Sequence, residues 1–383
     1  MKYFLIAGEA SGDIHGSQLI ASLRQHDSEA EFQLLGGDMM AREAGCTPLI
    51  HYRDMAYMGF IEVVKHLGSI MGFMGKARRH IEQFKPDALI LIDYPSFNLK
   101  MARFAHEKGI PVYYFISPKV WAWKEWRVKD IKKYVDRVFS ILPFETAFFA
   151  GHDYRVDYVG NPTVKEIAEA SRTFAPFEEF AQRNGLDPHR PVIALVPGSR
   201  VKEVRDNLPS MVEASLRHSG EFQSVIAGAP SLDASLYASV LGSKAGTVPV
   251  VYGQSFELVH HARAALVTSG TATLETAILG TPQVACYRMN GSRTVYRFYS
   301  HLIHGKYVTL PNLIADDTVI PELLLHLCSP DSIDSRLTPL LNADSAERQT
   351  MLKGYSRMQQ QLGTADCTDN TARAIVEAIK PRR

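Results

Sequence analysis

A loop of small residues near the centre of the chain could bind a ligand through its backbone. The apolar run Ala265–Val267 ends there, and a helical pattern follows up to Leu279. Small residues let a ligand approach the backbone closely, and a new helix directs free N–H groups toward it. The residues that form this candidate site are Ser269, Gly270, Thr271 and Ala272.

Glu275 lies one turn further along the same predicted helix. A carboxylate at this point could accept hydrogen bonds from two neighbouring hydroxyls, such as those of a ribose. It could equally complement the helix dipole, and this stretch alone favours neither interpretation.

A second loop with anion-binding character follows the predicted strand Val192–Val196. Gly198 and Ser199 open a helix, and Arg200 could reach the same point. Helix amides together with a guanidinium suit a diphosphate. The alternative is an ordinary helix cap with a solvated arginine, but the strand–loop–helix context favours phosphate binding. The nucleotide-binding pattern G-x-x-x-x-G-K-[ST] is absent.

Two carboxylates near the N-terminus are candidates for catalysis. Asp93 ends an entirely apolar predicted strand, where partial burial could tune it as a general base, or where it could merely stabilise a turn. Glu9 and Ser11 lie in a glycine-rich turn and could position sugar hydroxyls. The competing reading, slightly favoured, is a tight turn in which Ser11 and Asp13 cap helix amides. The turn lacks G-x-G-x-x-G spacing, which argues against a nicotinamide site.

Asn312 is a further candidate, because its amide offers both a donor and acceptors to a ligand. It lies in a segment, Gly305–Ile314, predicted to be a strand or extended with a turn, and a structural turn asparagine is favoured on the residues alone. The four cysteines are scattered and no Asp-x-Asp sequence occurs. We therefore expect no metal and no cofactor.

These loops need parallel sheets to position them. Apolar runs alternating with helical patterns indicate parallel sheets covered on both faces. The predicted strands of the first half are Tyr3–Ala7, Phe32–Leu35, Ala88–Asp93, Val112–Ile116, Arg137–Leu142 and Val156–Val159. Those of the second half are Val192–Val196, Gln223–Ala227, Val248–Val251, Ala265–Val267 and Gln283–Tyr287.

The fold class is therefore α/β, with two doubly wound, Rossmann-like domains whose ligand-binding edges face a cleft. We expect the first domain over residues 1–165 and the second over residues 166–345. The helical tail, residues 346–383, is expected to pack back across the domains.

Composition excludes several classes of protein. The chain has 383 residues, a hydrophobic fraction of 46%, a charged fraction of 22% and a net charge of +1. It is therefore an ordinary globular sequence without a global signature of nucleic-acid binding. The apolar run at the N-terminus is too short for a signal peptide, and no run reaches transmembrane length. We expect a cytoplasmic protein, or one held at a membrane surface from the cytoplasmic side.

One segment, Phe60–Arg79, has features of a membrane-contacting helix. Its apolar arc spans about half of the helix circumference, glycines and methionines cluster in it, and basic residues flank the cluster. The alternative is a broad core-packing helix. The predicted acyl-chain or membrane contacts on it are Leu67, Ile70, Met71, Phe73 and Met74.

Five motifs together resemble the lipid-A-disaccharide synthase family, in the family's order and almost end to end. They are Ala7–Asp13 (AGEASGD), Ser117–Trp123 (SPKVWAW), Pro197–Arg200 (PGSR), Ser269–Glu275 (SGTATLE) and Leu310–Leu313 (LPNL). The Trp-Ala-Trp and Leu-Pro-Asn-Leu pieces are specific to that family. The glutamate-bearing helix alone would indicate only the broader GT-B glycosyltransferases.

The resemblance implies a GT-B fold and an inverting transfer without a nucleotide-bound metal. The donor would be UDP-2,3-diacylglucosamine, the acceptor 2,3-diacylglucosamine 1-phosphate, and the product the β-1,6-linked disaccharide of lipid A. The first domain would then face acceptor and membrane, and the second would bind the UDP-sugar. The enzyme would be peripheral on the cytoplasmic face of the inner membrane, with no nucleic-acid partner, and a homodimer is compatible with the sequence.

The resemblance also assigns roles. Asp93 matches the proposed base, while Arg200, Glu275 and Asn312 fall in donor-site motifs. Glu9, in the glycine-rich turn, is the second catalytic candidate. This chain departs from the family pattern at Ser96, which replaces a second acid in Asp-x-Pro-Asp-Phe-Asn. Lys119 and Thr309 also replace commoner serines.

Two other functions compete with this reading. One is another GT-B enzyme that uses UDP-N-acetylglucosamine, such as a 2-epimerase or a peptidoglycan-precursor transferase, against which the Trp-Ala-Trp segment argues. The other is a sugar-nucleotide or lipid-binding protein without catalysis, against which Asp93 argues.

Overall fold

A computed structural model describes residues 1–55, 67–268, 270–288 and 307–380. The chain forms two compact units. Unit 1 comprises Met1–Pro162 together with the chain from Thr364 onward, and unit 2 comprises Thr163–Gly363. The first boundary is three residues before the predicted one, and the predicted tail is divided between the units.

Unit 1 contains a seven-stranded sheet in the order β3-β2-β1-β4-β5-β6-β7, and every strand pair in it is parallel. Because the order reverses between β1 and β4, the loops after these two neighbouring strands meet at the ligand-binding edge. The strands are β1 (Lys2–Ala7), β2 (Glu31–Gly36), β3 (Ile50–His51), β4 (Ala88–Ile92), β5 (Val112–Phe115), β6 (Arg137–Ser140) and β7 (Asp157–Tyr158).

Helices cover both faces of this sheet. Successive residues of β1 alternate between two buried clusters, Phe4 and Ile6 in one, Tyr3 and Leu5 in the other. The helices are α1 (Ala10–His26), α2 (Asp38–Ala44), α3 (Tyr52–Met55), α4 (Leu67–Phe84), α5 (Pro95–Glu107), α6 (Val120–Trp123), α7 (Val128–Tyr134) and α8 (Phe144–Ala150). A short 3-10 helix, Glu125–Arg127, precedes α7.

Unit 2 contains a six-stranded parallel sheet in the order β10-β9-β8-β11-β12-β13. Its order reverses between β8 and β11, so the two predicted phosphate-binding loops follow neighbouring strands. The strands are β8 (Val192–Val196), β9 (Gln223–Gly228), β10 (Val250–Tyr252), β11 (Ala262–Thr268), β12 (Gln283–Tyr287) and β13 (Glu322–Leu324).

The helices that follow run into unit 2, with α9 beginning at the boundary. They are α9 (Pro162–Ala170), α10 (Phe177–Arg183), α11 (Val201–Leu216), α12 (Ala234–Leu241), α13 (Ser255–His261), α14 (Thr271–Ile278), α15 (Leu310–Ala315), α16 (Pro330–Leu341) and α17 (Ala346–Leu362). Three further 3-10 helices are Ser171–Thr173, Gly242–Lys244 and Leu325–Leu327.

The last helix, α18 (Cys367–Ile379), returns to unit 1 and packs against α1. His26 Nε2 lies 2.7 Å from an Asp369 carboxylate oxygen, and Asn370 Nδ2 donates to the Val159 carbonyl at 3.1 Å. The chain therefore crosses to unit 2 and back before it ends.

Two parallel-sheet α/β units confirm the predicted fold class. One local prediction was wrong: Leu310–Ala315, expected to be extended, forms a helix. Pro311 near its first turn lacks the N–H that a strand ladder needs, whereas a helix start does not require it. Residues 305–306 of that predicted segment lie outside the described part of the chain.

Candidate active site

Asp93 lies directly after β4, at the point where the strand order of unit 1 reverses. Its backbone is held in the left-handed region, with φ of 44°, and Tyr94 follows with φ of 48°. Such conformations are costly for residues other than glycine and persist only where the surroundings enforce them. Strain at this point of the sheet is typical of a functional site.

Two buried side chains hold the Asp93 backbone in place. Asn98 Nδ2 donates to the Asp93 carbonyl at 2.7 Å, and the Tyr114 hydroxyl donates to the same oxygen at 2.5 Å. Both side chains are completely buried. The carboxyl group is therefore presented from a rigid turn.

The electrostatic surroundings of Asp93 suit a general base. Burial is the larger influence that raises the pKa of Asp93, and the neighbouring Glu9 carboxylate raises it further. The Lys119 ammonium opposes this shift, as does a hydrogen bond from the Tyr94 backbone. The balance leaves a carboxylate more basic than an exposed aspartate, which favours proton acceptance.

The glycine-rich turn after β1 packs against this site. A Cβ at Gly8 would lie 2.2 Å from the Tyr94 ring, so only glycine fits there. Glu9 and Ser11 are exposed at the start of α1, while buried Asp13 accepts hydrogen bonds from the amides of Gly37, Met39 and Met40. Glu9 and Ser11 can therefore face a ligand, whereas Asp13 fixes the neighbouring loop.

Two more residues of unit 1 have informative surroundings. Ser96, which replaces the family's second acid, accepts a hydrogen bond from buried Arg127 at 3.0 Å. His15 has a buried Nδ1 without a partner among the described residues, and burial lowers its pKa. Burial therefore favours the neutral form of the His15 imidazole.

In unit 2, the loop before α14 retains the features of an anion site. Gly270 has φ of 146°, which favours glycine, and Thr268 is buried with a hydroxyl that has no partner in the described chain. A buried hydroxyl without a partner is costly, so a ligand that supplies one is favoured. Thr271 and Ala272 form the first turn of α14, and Ser269 lies outside the described residues.

Glu275 on α14 lines a pocket of about 590 Å³. Burial, reinforced by the nearby Glu166 carboxylate, raises the pKa of Glu275 to about 7. The pocket also contains two aromatic rings and an amide that the sequence patterns did not single out, namely Phe174, Phe256 and Gln254. This mixture of flat apolar and polar groups is typical of a small-molecule pocket.

Arg200 is arranged as a helix cap. Its side chain is 82% exposed and its guanidinium lies 3.1 Å from Glu203 Oε1. Glu203 Oε2 also accepts the backbone N–H groups of Ser199 and Arg200, at 3.0 and 3.2 Å. A Cβ at Gly198 would clash with the Glu203 side chain. A phosphate could bind these amides only if Glu203 moved away.

The side chain of Asn312 has a structural role and is not open to a ligand. Its side chain is 0% exposed. Nδ2 donates to Ile320 and Glu322, and Oδ1 accepts from the amides of Val319 and Ile320. Both N–H groups and both lone pairs are used, so the expectation of a direct ligand contact is corrected: Asn312 orders residues 319–322 at the start of β13 instead.

The predicted membrane helix is only partly described, because its first residues and the side chains of Leu67 and Ile70 lie outside the described part. Met71 is 66% exposed, and Phe73 is half-buried. Met74 is 8% exposed and belongs to the core of unit 1. The expectation that Met74 contacts a membrane is therefore wrong for this conformation, because that face of α4 packs on the sheet.

Comparison with known proteins decides the family. The family described as lipid-A-disaccharide synthetase matches residues 3–376. The lipid-A-disaccharide synthase of Acidobacterium capsulatum is 40% identical over 374 residues, covering 94% of this chain and 92% of that protein. That of Myxococcus xanthus is 35% identical over 385 residues, covering 100% of this chain and 98% of that protein.

The chain belongs to the lipid-A-disaccharide synthase family. It is therefore a hexosyltransferase of lipid A biosynthesis, as the motifs predicted. Solved structures of lower identity agree on the GT-B fold. The UDP-GlcNAc 2-epimerase of Neisseria meningitidis has a TM-score of 0.62 at 14% identity, covering 98% of this chain and 99% of that one. The calicheamicin glycosyltransferase CalG4 has a TM-score of 0.59 at 16% identity, with 98% of both chains covered.

The described residues also bear on metal binding and membrane insertion. Within the described residues of this synthase-family chain, no group of three or more metal-binding side chains comes together. Within the same residues, no helix is both long and apolar enough to cross a bilayer.

Proposed function

We propose that the chain transfers 2,3-diacylglucosamine from its UDP donor to the 6-hydroxyl of 2,3-diacylglucosamine 1-phosphate. The products are UDP and the β-1,6-linked disaccharide 1-phosphate. Membership of the lipid-A-disaccharide synthase family supports the reaction. The mechanism rests on the position of Asp93, a partly buried carboxylate held on a strained turn where the strand order of unit 1 reverses.

The chemistry is a single displacement with inversion. The acceptor 6-oxygen forms a bond to C1 of the donor sugar, and the bond from C1 to the diphosphate oxygen breaks. Asp93 takes the acceptor hydroxyl proton as that bond forms, and its raised pKa makes it a better acceptor for the proton. Burial and, to a smaller extent, Glu9 raise that pKa, and Glu9 would contact sugar hydroxyls.

The leaving diphosphate needs stabilisation of its developing charge. We assign this to the first turn of α14, with Gly270, Thr271 and Ala272 supplying backbone amides and Thr268 a hydroxyl. Arg200 and the amides around Gly198 and Ser199 add a second anchor once the donor displaces Glu203 from them. Ser269 is assigned to the same diphosphate site because it belongs to the family motif.

The nucleoside end of the donor is assigned to the pocket of unit 2. Glu275 would accept hydrogen bonds from the two ribose hydroxyls. Phe174 and Phe256 supply flat apolar surface for the uracil ring, and Gln254 can pair with its edge. Each group matches one part of uridine.

We also propose that the enzyme meets its acylated substrates at the cytoplasmic face of the inner membrane. The large apolar side chains that are exposed in the described part of unit 1 all belong to segments that follow strands of its sheet, and such segments begin at the carboxyl edge of a parallel sheet. They are Ile14, Met39, Met71 and Trp126. Lys124, beside Trp126, adds positive charge that suits anionic lipid. The binding surface thus adjoins the edge that bears Asp93.

Liposome co-sedimentation tests this surface. Met71→Ser with Trp126→Ser should reduce binding to anionic vesicles without lowering thermal stability, because both side chains are already exposed. The matched control is Leu327→Ser, an exposed apolar residue of unit 2. Equal binding of the double variant and the wild type would place the membrane surface elsewhere.

Turnover with defined substrates tests the reaction itself. UDP should appear only when both acylated sugars are supplied. UDP-N-acetylglucosamine alone should be neither epimerised nor hydrolysed. Epimerisation of that unacylated sugar would favour the 2-epimerase alternative.

A further inference from the structure

Unit 1 contains a buried carboxyl group that neither the motifs nor the proposed mechanism uses. Glu145, in the first turn of α8, is 1% exposed. Burying a carboxylate is costly unless hydrogen bonds compensate, so its surroundings should explain why it is there.

Three donors converge on this carboxyl group. Trp121 Nε1 donates to Oε1 at 3.0 Å, and the Ser117 hydroxyl donates to the same oxygen at 3.4 Å. The Ser140 hydroxyl, at the end of β6, donates to Oε2. The three hydrogen bonds hold one carboxyl group in place, and they are strongest when that group is ionised.

The two donors on Oε1 come from opposite ends of one loop. Ser117 and Trp121 are the first and last residues of the segment that follows β5. Ile116, the residue before this segment, lies in the left-handed region with φ of 62°. Trp121 also packs edge-on against Phe144, the residue before Glu145, with ring centroids 5.0 Å apart. The loop is thus fastened to α8 by polar and aromatic contacts.

Lys119 lies at the centre of this loop and is exposed. The loop begins two residues after Phe115, whose carbonyl accepts a hydrogen bond from the Asp93 backbone N–H at 3.4 Å, so the loop follows the strand next to Asp93. The Lys119 ammonium accordingly lowers the pKa of Asp93 and also that of Glu145. The position of the loop therefore decides how strongly the lysine acts on the proposed base.

We infer that Glu145 is a positioning residue for the reaction, which anchors the loop Ser117–Trp121 so that Lys119 stays beside Asp93. This inference rests on the proposed function of Asp93. Glu145 acts through Lys119 and touches no substrate. The groups that face it are Ser117, Ser140, Trp121 and Lys119.

Burial raises the pKa of Glu145 to about 7, against the opposing effect of its hydrogen bonds and of Lys119. Near neutral pH the anchor therefore changes between charged and uncharged forms. The neutral form accepts hydrogen bonds less strongly, so the loop should be held more firmly above pH 7 than below it.

Three variants test the charge of the anchor, its aromatic donor and the lysine ammonium separately. Glu145→Gln removes the charge but keeps the shape, and Ser140 can accept a hydrogen bond from the new amide. Trp121→Phe removes one donor and keeps an aromatic ring. Lys119→Met removes the ammonium and leaves the anchor intact. Glu125→Gln, an exposed glutamate near the same loop, is the matched control.

The first readout is the pH profile of kcat at saturating substrates. Lys119→Met should move the acid limb upward by about 0.5–1 pH unit, because the ammonium no longer favours the ionised base. That shift corresponds to about three- to tenfold lower kcat on the limb. Glu145→Gln and Trp121→Phe should shift the limb in the same direction, and Glu125→Gln should not.

Combining Glu145→Gln with Lys119→Met tests the connection directly. Since both substitutions act through the interaction of Lys119 with Asp93, the acid limb of the double variant should shift no further than that of Lys119→Met alone. Additive shifts would show that Glu145 acts independently of Lys119 and would overturn the inference.

The second readout needs no turnover. In the free enzyme, amide hydrogen exchange of residues 117–124 should be faster in Glu145→Gln and Trp121→Phe than in the wild type, and unchanged in Lys119→Met. If Glu145→Gln lowers only the melting temperature, while exchange and pH profile stay as in the wild type, the residue is merely structural. Should Glu145→Gln fail to fold, Trp121→Phe decides by the same criteria.

The exchange readout also separates this inference from the proposed function. Absence of UDP formation by the wild type would refute the function, whereas unchanged exchange in both anchor variants would refute the anchor.

Discussion

The carboxyl group of Glu275 should make UDP binding depend on pH. Its pKa is raised to about 7 by burial and by Glu166, and the proposed ribose contacts require the carboxylate form. With that pKa, about nine tenths of the protein is ionised at pH 8 and about one tenth at pH 6. Apparent affinity scales with the competent fraction, so binding should weaken about tenfold from pH 8 to pH 6.

The perturbation is Glu275→Gln, which cannot titrate. UDP has an ionisable phosphate of its own, so the informative quantity is the ratio of wild-type to variant affinity. Isothermal titration calorimetry at pH 6, 7 and 8 measures it. The affinity of the wild type for UDP should approach that of the variant as pH falls. At pH 6 the wild type should also release a proton from Glu275 when UDP binds.

Two further variants sharpen the test. Glu166→Gln removes a charge that raises the pKa of Glu275, so the loss of affinity should begin at a lower pH. Glu179→Gln changes an exposed glutamate on α10 and should leave the wild-type profile intact. A ratio that stays constant from pH 6 to pH 8 would refute the role of Glu275 in ribose binding.

The remaining predictions concern packing, charge and metal. Gly8→Ala should lower the free energy of unfolding in urea by about 1–3 kcal/mol, because the methyl group meets the Tyr94 ring. As a control, Gly72→Ala on α4 should raise it by about 0.5–1 kcal/mol, because its methyl group meets no neighbouring atom within 4 Å. Arg200→Ala should weaken UDP binding by about 1.5–3 kcal/mol in calorimetry, and unchanged affinity would remove it from the donor site. Between pH 5 and pH 8 the wild type should lose about 2–3 kcal/mol of unfolding free energy as buried Glu145 ionises, since its folded pKa is raised; Glu145→Gln should not show this loss. EDTA should leave turnover unchanged, and inhibition reversed by Mg²⁺ would contradict a metal-free leaving group.

Strand positions and the loops that follow them were predictable because apolar runs determine which segments are buried. The predicted strands Ala88–Asp93 and Val192–Val196 were identified in this way, and the structure has them at Ala88–Ile92 and Val192–Val196. Parallel pairing then brings their loops to the ligand-binding edge. The two-residue strand Ile50–His51 and the three-residue strand Glu322–Leu324 were missed. Such short strands have no periodicity of their own and form because a neighbouring edge pairs with them.

The burial of polar side chains could not be predicted from the sequence. Asn312 looks like a ligand-binding amide, yet all its hydrogen bonds are internal. Glu145 gave no signal, because two of its three donors, Ser117 and Trp121, lie 28 and 24 residues away in the chain. Met74 looked like part of an exposed arc, but the orientation of α4 on the sheet buries it. Each of these outcomes depends on tertiary contacts that periodicity does not encode.

The most direct test of the central claim is product formation by Asp93→Asn compared with the wild type. Both are supplied with UDP-2,3-diacylglucosamine and 2,3-diacylglucosamine 1-phosphate, and UDP and disaccharide 1-phosphate are quantified together. The wild type should form the two products in equal amounts, and Asp93→Asn should be about 10²–10⁴-fold slower, with UDP affinity within a few-fold of the wild type. Near wild-type turnover by Asp93→Asn would show that Asp93 is structural, and His15 would become the next candidate for the base.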